Sequence, residues 1–233
     1  MGSSGEKSGA TIRVLVADDH DIVRFGLRKM LEAEPGIEVV GEASSGVEAL
    51  ELCRSLKPDI VVMDIRLPGV DGITATRLIK REFPNTAVLI LTAYESTEYL
   101  VESVRAGAAG YLLKEKAVQR LPGAVRRVMN GESPLDQELA MRVLKGISEK
   151  RGAHSPDGDE VVRTGFLLEK LTDREREILT LVAMGLSNQE IAERLYLSVG
   201  TVKSHVHRII SKLGVSDRTQ AAVLAVQLGM VST

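Results

Sequence analysis

The sequence predicts an α/β fold, a five-stranded parallel doubly wound sheet, followed by a small all-α domain of four helices. Two observations favour this division. In residues 11–131 short apolar runs alternate with amphipathic helical patterns, and repeated strand–helix units form a parallel sheet with helices on both faces. From residue 167 onward the pattern changes to short helices with closely spaced start signals. A polar segment, residues 132–166, separates the two parts.

The composition is typical of a soluble globular protein, since 44% of the 233 residues are hydrophobic and 27% are charged. The net charge is only −2, so a nucleic-acid-binding surface would have to be local. Cys53 is the single cysteine, which excludes an intrachain disulfide framework and fits a reducing cytoplasm. No apolar run reaches the roughly 20 residues of a transmembrane helix. We therefore expect a cytoplasmic protein without a membrane partner.

Each predicted strand is a short apolar run. The five runs are Ile12–Ala17, Glu38–Gly41, Ile60–Met63, Ala87–Leu91 and Gly110–Leu113. The third run is unbroken, which is typical of a strand buried on both faces of a parallel sheet. Five such strands alternating with helices predict a flavodoxin-like arrangement, in which ligands bind outside the carboxyl ends of the strands.

The helical patterns between the strands end at proline or glycine. They are Val23–Leu31, Gly46–Leu56, Gly72–Phe83 and Tyr94–Ala106. The last helix of this half is unusual because Pro122 and Gly123 interrupt its pattern. A proline inside a helix costs about 3 kcal/mol, but it is tolerated in the first turn. We therefore predict that this helix begins near Pro122 and ends near Asn130.

Residues 132–166 are predicted to form a linker that begins with a helix and continues as a flexible segment. In Leu135–Glu149 the apolar side chains fall on one helical face. Lys150–Arg163 is polar, rich in turn formers and poor in apolar residues, which is typical of an interdomain linker.

The second domain, residues 167–233, carries four helix start signals in series: Thr172, Ser187, Ser198 and Asp217. The first two are followed by a glutamate three residues later, Glu175 and Glu190, and each pair predicts a capping box. Glycines at positions 185, 214 and 229 supply matching stop signals. Four amphipathic helices of this kind predict a small independent domain.

Polar side chains follow four of the predicted strands: Asp18 and Asp19, Asp64, Thr92, and Lys114. The carboxyl ends of parallel strands share one edge of a sheet, so we expect these side chains to converge. Three carboxylates in contact repel one another unless a cation lies between them, and Mg²⁺ prefers carboxylate oxygens. A carboxylate can attack phosphorus, while a hydroxyl and an ammonium hold phosphoryl oxygens. The alternative is that the acids cap helices and Lys114 is a solvated surface lysine.

The segment Ser198–Gly214 predicts a helix with two different faces. One face is a buried apolar stripe of Val202, Val206, Ile209 and Leu213. The other is polar and cationic, with Thr201, Lys203, Ser204, His207, Arg208, Ser211 and Lys212. A short helix and a tight turn precede it, which predicts a helix-turn-helix whose second helix fits the major groove. The alternative is an ordinary solvated helical face.

The first half resembles the receiver domain of bacterial response regulators of the NarL/FixJ family. The residues that carry the resemblance are Asp18, Asp19, Asp64, Pro68, Gly72, Thr92, Tyr111 and Lys114. The resemblance implies that Asp64 accepts phosphate from a sensor histidine kinase. It also implies that Asp19 and Asp64 ligate Mg²⁺ directly, that Asp18 acts through water, and that the backbone carbonyl of Arg66 completes the site. Thr92 would move toward the phosphate, and Tyr111 would swing inward behind it.

His20 follows the two acids and suggests a metal or phosphorelay role, but a lone loop histidine is a weak signal. Pro122 and Gly123 depart from the leucine-rich start that the final receiver helix usually has. We therefore expect the receiver face made by the fourth and fifth strand–helix units to differ from that of relatives.

The second half closely resembles the LuxR-type DNA-binding domain, in the segments Leu171–Glu175, Gly185–Ala192, Ser198–Val206 and Lys212–Val215. The resemblance implies that three side chains face base edges: Lys203, Ser204 and His207. It implies that four contact phosphates: Asn188, Thr201, Arg208 and Lys212. The last helix, Arg218–Gln227, would be where two domains pair. Together the two resemblances imply a transcriptional regulator that is not an enzyme and that forms a homodimer when phosphorylated.

Two other functions compete with this interpretation. A phosphohydrolase of the haloacid dehalogenase type would also use Asp64 as nucleophile, but it needs an acid two residues later, where this chain has Arg66. A stand-alone signalling receiver with a protein-binding tail would require that the last helices bind no duplex DNA.

Overall fold

The computed structural model describes residues 11–93, 96–132 and 171–231. Within these residues the chain forms five strands and nine helices. The predicted linker helix and the polar segment after it lie outside the described residues. None of the described helices combines the length and the apolar character needed to cross a membrane.

The five strands form one parallel sheet in the order β2-β1-β3-β4-β5. They are β1 Ile12–Ala17, β2 Ile37–Ala43, β3 Ile60–Met63, β4 Ala87–Thr92 and β5 Gly110–Leu113. This confirms the predicted fold class. The strand order reverses between β1 and β3, so the crevice above the carboxyl ends of these two strands is the place where such sheets bind ligands.

Helices cover both faces of the sheet. They are α1 Asp21–Glu32, α2 Gly46–Leu56, α3 Gly72–Glu82, α4 Thr97–Ala106 and α5 Lys114–Met129. Alternate residues of β1 point to opposite faces. Val14 and Val16 pack with α1 and α5, whereas Leu15 and Ala17 pack with α2, α3 and α4. Both faces of the strands are therefore buried, as their continuous apolar runs predict.

The prediction that the last receiver helix begins near Pro122 is wrong. Helix α5 starts at Lys114 and runs through the proline. Ala117 and Leu121, which precede Pro122, are buried against the sheet together with Val125 after it. Burying a leucine-sized side chain contributes roughly 1.5–3 kcal/mol. The continuous apolar face therefore offsets the cost of one missing helix hydrogen bond.

The second domain contains α6 Asp173–Ala183, α7 Asn188–Leu195, α8 Val199–Leu213 and α9 Arg218–Gln227. The four predicted N-caps are confirmed, because each side chain accepts a hydrogen bond from a backbone N–H in the first turn. Both capping boxes are present. Tyr196 adopts a positive φ of 55° in the turn between α7 and α8. This turn sets the angle between the two helices of the helix-turn-helix.

Candidate functional site

The acidic site lies at the carboxyl ends of β1, β3 and β5. Asp18 and Asp64 directly follow β1 and β3, and both are buried, with 1% and 5% of their surface exposed. Lys114 follows β5, and its Nζ lies 2.5 Å from Asp18 Oδ2 and 2.6 Å from Asp64 Oδ2. One ammonium thus bridges the two carboxylates, and the sheet brings together residues that are distant in the chain, as the sequence predicts.

Electrostatics in this site are set by burial and by the ion pairs. Burial raises the pKa of Asp64 above its ordinary value; the charge of Asp18 adds to this rise and Lys114 opposes it. Burial alone would lower the pKa of Lys114, but the hydrogen bonds and charges of Asp18 and Asp64 raise it above its ordinary value. Lys114 therefore remains a cation at neutral pH and balances part of the negative charge.

The donor atoms beside Asp64 fit a hard divalent cation. Asp18 Oδ2 is buried, and it lies 2.5 Å from the Lys114 Nζ. Ligand atoms of Asp18, Asp19 and His20 lie within 4.8 Å of one another. A divalent cation bound at this edge would join Lys114 in balancing the negative charge of the acids, and carboxylate oxygens are the ligands that Mg²⁺ prefers.

His20 lies closer to the acids than the sequence implied. Its Nδ1 is 2.7 Å from Asp19 Oδ1, and its side chain is 69% exposed. Its backbone N–H donates to Asp18 Oδ1 at 3.0 Å. His20 therefore orders the loop that carries both acids. It is not one of the predicted metal ligands, which are the three acids and the Arg66 carbonyl.

Two further predicted residues lie near the strand ends. Thr92, the last residue of β4, is fully buried, and Tyr111 of β5 is 2% exposed within the core between the sheet and α4. The side chain of Arg66 is exposed in the loop after β3, and the predicted role of this residue uses its backbone carbonyl. Thr92 thus lies on β4 and Tyr111 on β5, the strands that precede and follow α4 in the chain.

The loop after Asp64 is held close to that residue by Gly72. The Gly72 N–H donates to the carbonyl oxygen of Ile65 at 2.8 Å. A Cβ atom at position 72 would lie 1.8 Å from the backbone oxygen of Asp64, far inside van der Waals contact. Glycine is required here because no larger residue permits this approach, and the approach fixes the backbone of Asp64.

The cationic face of α8 agrees with the helical pattern in the sequence. Val202, Val206, Ile209 and Leu213 form its buried stripe. On the opposite side Lys203, Ser204, His207 and Arg208 line one shallow surface depression. Thr201 is exposed at the start of the helix, where its Oγ1 lies 2.8 Å from the Oγ of Ser198. The helix therefore presents hydroxyl, imidazole and cationic groups together to solvent.

Two residues that are predicted to contact phosphates have internal partners in this conformation. Asn188 is 1% exposed, and its Oδ1 accepts a hydrogen bond of 2.6 Å from Arg218. Lys212 Nζ donates to the buried Glu175 at 2.6 Å. In this conformation the Asn188 side chain is buried, and the Lys212 ammonium is paired with Glu175.

Arg218 is a structural residue that the sequence did not distinguish from the surface cations. It is 5% exposed and also donates to the backbone oxygen of Leu186, so it ties α9 to the start of α7. The sequence feature that could have indicated its burial is its position at the start of a mostly apolar helix, directly after the N-cap Asp217. Arg218 therefore adds little to the exposed positive charge of the DNA-binding domain.

Comparison with known proteins covers almost the whole chain. The family model described as the response regulator receiver domain matches residues 14–126, and the model for bacterial regulatory proteins of the luxR family matches residues 169–225. The chain is 44% identical over 214 residues to the transcriptional regulatory protein LiaR of Bacillus subtilis (strain 168), covering 92% of this chain and 96% of that protein.

Two other matches agree with these. The response regulator protein VraR of Staphylococcus aureus is 39% identical over 221 residues, which cover 95% of this chain and 99% of VraR. The structure of the response regulator RcsB in complex with DNA is 28% identical, with a TM-score of 0.53, and the match covers 95% of this chain and 100% of that chain.

These relatives are regulators of transcription rather than enzymes, so the phosphohydrolase alternative is wrong. The two matched families also account for both halves of the chain, the acidic strand edge and the helix-turn-helix. The chain belongs to the NarL/FixJ family of two-component response regulators, with a receiver domain followed by a LuxR-type DNA-binding domain.

Proposed function

We propose that Asp64 accepts a phosphoryl group from a sensor histidine kinase and that this modification controls binding to promoter DNA. One observation carries the proposal: Lys114 joins the buried carboxylates of Asp64 and Asp18 at the carboxyl edge of the sheet. A buried acid pair with one bridging cation has little structural benefit, whereas it fits the charge changes of phosphoryl transfer.

In the transfer, one carboxylate oxygen of Asp64 forms a bond to phosphorus while the bond between phosphorus and the kinase imidazole nitrogen breaks. Lys114 is proposed to contact one phosphoryl oxygen, and the Thr92 hydroxyl is proposed to contact another. Mg²⁺, held by Asp18, Asp19, Asp64 and the Arg66 carbonyl, would neutralise charge on the transferred group. Tyr111 is already buried against α4, and it is proposed to shift with Thr92 inside this core and so to report the modification to α4.

For DNA binding we propose that α8 enters the major groove. Lys203, Ser204 and His207 would contact base edges, and Thr201 and Arg208 would contact phosphates. Their exposure on one side of α8 supports this assignment. Asn188 and Lys212 would join them only if their internal partners were released. The proposed domains are residues 11–131 and 167–233, joined by the linker of residues 132–166.

We further propose that the unphosphorylated receiver covers part of α8. Lys203 and His207 line a cleft of about 1010 Å³ whose other wall includes Lys80 and Arg105 of the receiver. A duplex that approaches α8 from the side of this cleft would meet the receiver wall. Phosphorylation would shift the population toward an open state, in which two chains pair through α9.

Footprinting on genomic DNA fragments, with and without acetyl phosphate, tests this function. Wild type should protect discrete sites more strongly after acetyl phosphate treatment, and Asp64→Asn should show no such gain. Glu51→Gln, which makes the same carboxylate-to-amide change at an exposed position of α2, should behave as wild type. If Asp64→Asn bound as tightly as phosphorylated wild type, the proposed control would be wrong.

A further inference from the structure

The first turn of α9 contacts the receiver through two side-chain hydrogen bonds. Thr219 Oγ1 donates to the backbone oxygen of Ala109 at 2.8 Å. Gln220 Nε2 donates to the backbone oxygen of Val104 at 2.6 Å. We call these two hydrogen bonds the interdomain contact. Thr219 is 3% exposed, so its hydrogen bond is removed from water, where a hydroxyl hydrogen bond contributes most; the Gln220 hydrogen bond is partly buried.

The acceptor of the Gln220 hydrogen bond, the Val104 oxygen, belongs to the end of α4. Val104 lies in the last turn of that helix, where backbone carbonyls lack a regular helix partner. Within the receiver, the Gly107 N–H reaches the same Val104 oxygen at 3.0 Å. Gln220 supplies a second donor to it, so a side chain of the DNA-binding domain completes the C-terminal cap of a receiver helix.

Apolar and charged groups around the two hydrogen bonds strengthen the contact. Val223, one turn after Thr219, is 8% exposed and continues the receiver core that contains Leu100 and Val101 of α4. Lys80 of α3 attracts the carboxylate of Asp217, the N-cap of α9. The DNA-binding domain therefore contacts α4 through matched polar and apolar groups.

The same structural units connect this contact to the acidic site. Ala109 immediately precedes β5, and Lys114 immediately follows it. Thr92 at the end of β4 precedes the connection to α4, which begins at Thr97 and ends beside Val104. The interdomain contact and the acidic site thus lie at opposite ends of β5 and α4. A displacement of α4 that accompanies phosphorylation would have to break the hydrogen bond from Gln220.

We propose that Thr219 and Gln220 hold α4 in its unphosphorylated position. The closed state, in which the interdomain contact is formed, therefore slows phosphoryl transfer to Asp64. This inference rests on the proposed function of Asp64 and adds a direction to it, from the DNA-binding domain back to the receiver. If the two domains must separate before Asp64 reacts, the observed rate is proportional to the fraction of molecules in the open state. Removal of the interdomain contact raises that fraction.

The test measures the initial rate at which acetyl phosphate with Mg²⁺ labels Asp64 in the full-length chain. The double variant Thr219→Val, Gln220→Leu removes both donors with little change of volume. We expect labelling about fivefold faster than in wild type, within the usual range of coupling between sites. Gln220→Lys retains a donor for the Val104 oxygen and should label at a rate near that of wild type.

A matched control makes the same chemical changes away from the receiver. In Thr180→Val, Gln189→Leu both altered side chains bond to residues of their own helices, Arg176 and Glu193, and the labelling rate of this variant should equal that of wild type. Equal rates in wild type and the Thr219, Gln220 variant would overturn the interdomain effect while leaving the proposed function intact. Failure of Asp64 labelling in all the proteins would instead refute the proposed function itself.

Hydrogen exchange provides a second readout that a mere loss of folding would not reproduce. In the Thr219, Gln220 variant, amides of the last turn of α4 should exchange faster, because the cap from Gln220 is gone. Amides within β1 and β3 should keep their wild-type protection. Unchanged exchange at the end of α4 would contradict the proposed role of Gln220.

Discussion

The acidic site of the receiver and the cationic face of α8 are built in opposite ways. Asp18, Asp64 and Lys114 follow three different strands, and the two acids are almost fully buried. The α8 side chains come from one continuous helix and are mostly exposed. A substitution in the buried acidic site should therefore affect both the reaction and the stability of the fold. A substitution on the exposed face of α8 should weaken DNA binding and leave the stability unchanged.

The largest effect is expected at Lys114. Lys114→Met removes the cation between Asp18 and Asp64, so the carboxylates repel each other and a phosphoryl oxygen loses its partner. Removing one preorganised donor of this kind costs about 10²–10³-fold in rate, and we expect a loss of this size in Asp64 labelling by acetyl phosphate. Lys116→Met, an exposed lysine two residues later, is the control. If the Lys114→Met protein were labelled at a rate within a factor of two of wild type, the reaction at Asp64 would not depend on the Lys114 ammonium.

Gly72 should show how strongly the fold supports the acidic site. Gly72→Ala places a Cβ 1.8 Å from the backbone oxygen of Asp64. The backbone must then move, which should lower the free energy of unfolding by about 1–3 kcal/mol. Gly123→Ala meets no atom within 4 Å, and in a helix it should stabilise by about 0.5–1 kcal/mol. Chemical denaturation measures both changes. The same sign for both substitutions would contradict the close approach.

The exposed surface should respond differently, with loss of affinity but not of stability. Lys203→Gln should weaken binding to a footprinted site by roughly 1–3 kcal/mol and reduce the salt dependence of binding. Lys212→Gln should weaken DNA binding less, because Glu175 already pairs with Lys212. A fluorescence anisotropy titration at several salt concentrations compares them. A larger loss of affinity for Lys212→Gln would mean that its ion pair opens on DNA.

The smallest effect concerns pH and the buried Glu175. Burial alone would raise the pKa of Glu175, but hydrogen bonds from Lys212 and Thr172 hold it below the ordinary value of 4.5. The ionised form therefore stabilises the folded domain above that value, and this stabilisation is lost as the pH falls through the lower folded-state pKa.

Calorimetry between about pH 7 and pH 3 should show a fall in the unfolding temperature of the DNA-binding domain in this acid range. Glu175→Gln should flatten that fall, whereas Glu177→Gln, at a half-exposed position, should leave it unchanged. An identical pH dependence in wild type and Glu175→Gln would refute the contribution of the pair.

The sequence predicted most of the fold because its signals are local. Apolar runs, capping boxes and glycine stops each act within a few residues, and the parallel topology then places Asp18, Asp64 and Lys114 at one edge. The error at Pro122 has a different origin. The cost of a helix proline is also local, but Ala117, Leu121 and Val125 gain burial from the sheet, and tertiary packing decided the helix start.

The parts of the site that the sequence did not predict depend on contacts between distant elements. Lys212 and Arg208 look alike as exposed cations on a helical wheel, yet only Lys212 finds the buried Glu175 of α6. Asn188 is buried because Arg218 reaches it from a helix thirty positions later in the chain. No local pattern distinguishes Thr219 and Gln220 as donors to the receiver, since their acceptors are backbone atoms.

The central claim is that Asp64 is the modified residue, and mass spectrometry tests it most directly. After treatment with acetyl phosphate and Mg²⁺, borohydride reduction converts an aspartyl phosphate to a stable product that peptide sequencing can locate. We predict one modified position, Asp64, with no product in Lys114→Met over the same time. Modification at another residue, such as Asp59 or His20, or none in wild type, would contradict the account.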